Sequence, residues 1–127
     1  MHIRPLGALG LFAIAASACI TVGFVGAMRP TSLAAFLFFC AWLVFPHLAM
    51  AAVLLVRERK GMAPGHWDAI AILVSIGGVL FLADLMFWHT DAQGAIAVLM
   101  TPLLQSIALA VLLALSALVS RRARTKP

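Results

Sequence analysis

Residues 67–88 read WDAIAILVSIGGVLFLADLMFW. Between the two tryptophans only Asp68, Ser75 and Asp84 carry polar side chains. A helix of about 20 apolar residues crosses a hydrocarbon core about 30 Å thick. At a rise of about 1.5 Å per residue, Trp67 and Trp88 stand about 31 Å apart. That is the separation expected of indoles placed at the two membrane interfaces.

Outward from this stretch the same pattern recurs. Residues 6–28, 32–56 and 94–119 are equally apolar and each is long enough to cross alone. The chain of 127 residues is 65% hydrophobic and 10% charged, against about 45–50% and about 25% in soluble domains. That balance excludes a disordered chain, a coiled coil and a soluble enzyme domain. The long runs lack the alternation of polar and apolar residues that barrel strands need. A continuous helix satisfies its own backbone in hydrocarbon. The reading is therefore an all-α integral membrane protein with four transmembrane helices. Together they form one membrane domain, followed by a basic cytoplasmic tail at 120–127.

The connections, 29–31, 57–67 and 89–93, are short. Short connections make consecutive helices antiparallel neighbours, so two hairpins forming a four-helix bundle are expected. Thr31 or Ser32 suits the start of the second helix, Asp68 the first turn of the third, and Asp91 the cap of the fourth. Four spans put both termini and the middle connection on one side. That side carries Arg4, Arg57, Arg59, Lys60, Arg121, Arg122, Arg124 and Lys126; the other carries only Arg29. The bias makes both termini cytoplasmic, in a bacterial inner membrane. The same basic residues, Arg4 aside, attract anionic lipid headgroups. No recognition motif accompanies them, so the net charge of +5 does not point to nucleic acid.

The N-terminal run, with Arg4 before it and Ala16-Ser17-Ala18-Cys19 within it, has elements of a signal peptide with a lipoprotein cleavage box. Its apolar core extends to Met28, long for such a signal, and Ala16 stands where the box favours Leu. An intact transmembrane helix is expected. Pro46-x-Leu48-x-x-x-Ala52 and Pro102-x-Leu104-x-x-x-Ala108 share a spacing that chance explains as well as duplication.

Small residues let membrane helices approach closely. Ala15, Cys19, Gly23 and Ala27 recur every four residues; Ser106, Ala110 and Ala114 do the same in the fourth helix, and Gly77-Gly78 mark the third. They are read as packing positions, either within the chain's own bundle or as an oligomer face, the former expected. Cys19 and Cys40 lie at matching depth and are read as small apolar core residues rather than a disulfide.

Few positions can carry chemistry. Asp84 is an ionisable group inside a span, which makes it a functional candidate. It could bind a cation or move a proton, or rest as a wetted carboxylate hydrogen-bonded to Thr101. Thr101 and Gln105 are neighbours one turn apart, read as interhelical glue or, with Asp84, as the wall of a polar path. His47 follows Pro46 within the second span; a packing histidine is expected, a proton relay, quinone partner or haem ligand the alternatives. His89 and Asp91 form an outer-loop pair that with Asp84 makes a weak oxygen-and-imidazole metal set; a solvated loop is expected. Neither cofactor nor metal is expected, and no nucleophile–base set, phosphate loop or CxxC occurs. The leading reading is a non-enzymatic accessory subunit or homo-oligomeric module. Its rival is a proton- or ion-coupled transporter using Asp84 with Thr101 and Gln105; a membrane enzyme or electron carrier comes third.

Overall fold

The computed structural model describes residues 4–62 and 65–124. Among them there are four helices and no strand: α1 Pro5–Ala27, α2 Leu33–Arg59, α3 His66–Phe87 and α4 Ala92–Arg124. All four are long and apolar enough to cross a membrane. The boundaries match the apolar runs within a few residues, except that α4 continues through the first residues of the expected tail. Ala and Arg are good helix formers, so nothing local stops α4 when hydropathy falls.

The helix ends are built from short polar side chains. Ser32 Oγ accepts from the Ala35 amide at 3.1 Å, and Asp91 Oδ1 from the Gly94 amide at 2.8 Å. Asp68 Oδ2 accepts from the Gly65 amide at 2.9 Å, while its other oxygen takes Arg57 Nε at 3.2 Å. Each satisfies an amide that the first helical turn leaves without a partner. At the same end Arg4 donates to the carbonyls of Gly61 and Met62, and its amide to Glu58. Gly61 has φ +63°, the left-handed region that side chains resist. Gly61→Ala should lower stability by about 1 kcal/mol, measured by SDS titration of the protein in micelles.

α1 packs against α2 and α3, and α3 also against α4. α2 meets α4 and α3 more lightly, and among the described residues the backbones of α1 and α4 do not approach each other closely. The interior is layered. Ile14, Met50, Leu54, Ala71 and Val74 form one apolar cluster, towards the end that carries Arg57. Val25, Leu43, Leu82, Leu85 and Val98 form a second, towards the opposite end. A polar layer lies between them.

The packing face of α1 is Gly7, Gly10, Ile14, Ser17, Thr21 and Val25, spaced three or four residues apart. Gly7 lies beneath the Glu58 side chain and Gly10 beneath Leu54 and Ile72, where a Cβ would collide. Ala15, Cys19, Gly23 and Ala27 are exposed, so the structure turns that stripe out of the bundle instead of into it. Ser106, Ala110, Ala114 and Gly77 are also exposed; Gly78 is buried. The reason is rotational: once the glycines near the start of α1 seat it against α2, the four-residue stripe falls on another face.

Candidate functional site

The polar layer draws on all four helices. Ser17 and Thr21 come from α1, His47 from α2, Ser75 from α3, and Thr101 and Gln105 from α4; all six are buried. In helices of this composition hydroxyls are tolerated because each bonds a carbonyl one turn back. Ser17 Oγ donates to Ala13 O at 2.9 Å and Thr21 Oγ1 to Ser17 O at 2.8 Å. Thr101 Oγ1 donates to Ala97 O at 3.1 Å.

His47, 2% exposed, is the centre of the layer. Its Nε2 lies 3.4 Å from Thr21 Oγ1 and its Nδ1 lies 2.6 Å from Ser75 Oγ. The Thr21 hydrogen is already given to Ser17, so Thr21 accepts and Nε2 carries the hydrogen. Nδ1 is then the acceptor and Ser75 the donor. Both nitrogens of a neutral imidazole are satisfied by this tautomer. Pro46, one residue earlier, withholds a backbone N–H from the preceding turn of α2. His47 thus joins α1, α2 and α3 through side-chain bonds.

On α4, Gln105 spans the gap to α3. Its Nε2 donates to Val74 O at 3.4 Å, and its amide lies on Gly78, where a Cβ would overlap it. Six residues before Gln105, in the first third of α4, the Trp42 indole donates to Leu99 O at 2.8 Å. Pro102, with no N–H, leaves the adjacent Val98 carbonyl without its helical donor. Beside Gln105, α3 and α4 diverge around a groove of about 390 Å³ bordered by Gly77, Phe81, Thr101 and Leu104.

Asp84 stands elsewhere. It is 52% exposed near the end of α3, with its Oδ2 3.2 Å from His89 Nδ1. The structure brings Asp84 to His89, not to Thr101 or Gln105. Asp91 serves the start of α4. Among the described residues, no group of three His, Cys, Asp or Glu side chains is placed to hold a metal ion. Cys19 and Cys40 are free thiols, one exposed and one half-buried, not a pair of core residues. Ser106 Oγ donates to Pro102 O at 2.7 Å within its own helix. Of the basic residues, Arg57 is held by Asp68 and lies over the Trp67 ring at 5.9 Å; Arg59 and Lys60 are exposed. Arg121, Arg122 and Arg124 occupy the last turn of α4. Lys126, and His2 at the other end, lie outside the described residues.

Ser17, Thr21 and Ser75 were not among the sequence-derived candidates. The available signal was the i, i+4 pair Ser17 and Thr21 in a helix adjacent to that of His47. Ser75 gives no such signal, because only the packing of α3 against α2 brings it to the ring. Compared with known proteins, the chain matches no family model, no curated protein and no solved structure.

Proposed function

We propose that this chain is a non-enzymatic, multi-pass inner-membrane module that acts through helix–helix contacts, as an accessory subunit or as a homo-oligomer. Its helices form two antiparallel hairpins with both termini in the cytoplasm. The orientation rests on the basic residues gathered at one end, and the hairpins on the short connections. Arg59, Lys60, Arg121, Arg122, Arg124 and Lys126 lie among anionic headgroups.

One observation carries the functional reading: α1 presents Ala15, Cys19, Gly23 and Ala27 outward, away from its own bundle. In a bilayer such a face offers close backbone approach to another helix, and packing rather than hydrophobicity drives the contact. α4 adds to it, because no residue from Ser106 to Arg124 is fully buried within the chain. A transport path through Asp84, Thr101 and Gln105 lacks comparable support, since Asp84 pairs with His89 away from the buried amide.

Cys19 is a native probe of that face. Copper–phenanthroline oxidation of membranes should give a covalent dimer, or an adduct with a partner, that Cys19→Ala abolishes and Cys40→Ala leaves intact. Purification in mild detergent should yield the same assembly. A strictly monomeric chain in both experiments, with nothing co-purifying, would refute the reading.

A further inference from the structure

The α3–α4 groove has an unusual floor. Its walls are Leu73, Gly77, Phe81, Leu104 and Ala108, all apolar. Its only polar residues are Thr101, 3% exposed, and Gln105, 6% exposed. The Thr101 hydroxyl hydrogen goes to Ala97 O, and one hydrogen of the Gln105 amide nitrogen goes to Val74 O. The Val74 carbonyl also decides which end of the amide is nitrogen, because the reverse placement would set two oxygens face to face. Among the described residues the Gln105 side chain bonds only through Nε2, which leaves Oε1 without a donor, and Thr101 Oγ1 keeps unused acceptor capacity.

Hydrocarbon supplies no donor, and an amide oxygen without one is costly there. Gln105 is eleven residues beyond Gly94, about 16 Å along the helix and so near the middle of a core of about 30 Å. A donor must therefore arrive at mid-membrane depth, in a groove whose volume falls in the ordinary range for ligand sites. A second copy of this chain has poor means to provide it. Its outward hydroxyl at that level, Ser106, already donates to Pro102 O, and the Cys19 thiol is a weak donor. A slender apolar chain with a hydroxyl partway along it meets both demands.

We propose that the α3–α4 groove binds an acyl chain bearing a mid-chain hydroxyl, which donates to Gln105 Oε1. The head group anchors such a chain at the interface, so the hydroxyl reaches a set depth. Gly77 matters because the space beside it is open, which leaves the chain room to lie against α3. Gly78 leaves the slot that the Gln105 amide nitrogen occupies at the edge of the groove.

The test is competition between two fatty acids that differ only in the hydroxyl. The protein is placed in nanodiscs containing equal amounts of 12-hydroxystearate and stearate, and the bound chain is read by native mass spectrometry. One hydrogen bond predicts that the hydroxylated chain is retained about fivefold more. Gln105→Met, of similar length but without the acceptor, should bring the ratio to about one. Gly77→Leu fills the groove without touching Gln105 and should remove both chains. An equal ratio in the wild-type protein overturns the proposal, whatever the variants do. So does a preference that survives Gln105→Met or Gly77→Leu, or a dimer whose formation excludes both chains and so puts a second copy in the groove.

Discussion

His47→Ala is expected to destabilise the bundle by about 3 kcal/mol, the scale of a large side chain removed from a packed interior. Two effects contribute, and their sizes decide between them. The imidazole is 2% exposed beneath Ser75 and Thr21, so its removal leaves a void. The two hydrogen bonds count for less, since interhelical bonds in membranes average about 0.6 kcal/mol each. His47→Phe separates the terms. It keeps most of the volume and loses both bonds, and should cost about 1 kcal/mol. SDS titration in micelles, followed by circular dichroism, measures both. Should Phe prove as damaging as Ala, the hydrogen bonds, not the packing, are what hold the layer.

Gly78→Ala should cost about 2 kcal/mol, because a Cβ there overlaps the Gln105 amide and the flanking core must shift. The neighbouring Gly77→Ala should change stability by less than about 0.5 kcal/mol, since nothing stands near its Cβ direction. Two adjacent glycines with the same helix propensity thus give unequal outcomes, which propensity alone cannot produce. Shortening the partner provides the check. In the Gly78→Ala/Gln105→Ala double variant the clash is gone, so the combined loss should fall short of the sum by about 1 kcal/mol or more. Additive losses would mean that Gln105 does not occupy the Gly78 slot.

The contrast between Asp84 and Gln105 shows where sequence reading reaches its limit. Charge inside a span is costly, which makes Asp84 the sequence's candidate, yet it lies near the end of α3, half exposed and paired with His89. Depth along one helix is legible from residue counting, but the direction a side chain faces depends on which neighbours surround that helix. Gln105 read as interhelical glue, and its amide does bond α3. That its oxygen keeps no donor beside the groove follows from Val74 and Gly78, neither of which advertises the arrangement. The small-residue stripe on α1 makes the same point. Its spacing is plain in the sequence, but Gly7 and Gly10 decide the rotation that turns it outward.

Four helices, their approximate ends and their capping side chains follow from the residues in order, because hydrocarbon compels long apolar runs to satisfy their own backbone. Asp91 and Ser32 act locally, within three residues, and so could be read directly. The meeting of His47 with Ser75 and Thr21 spans 26 to 28 residues of chain and three helices. Only tertiary packing decides it, because every face of these helices is nearly as apolar as every other and no amphipathic stripe marks the inside.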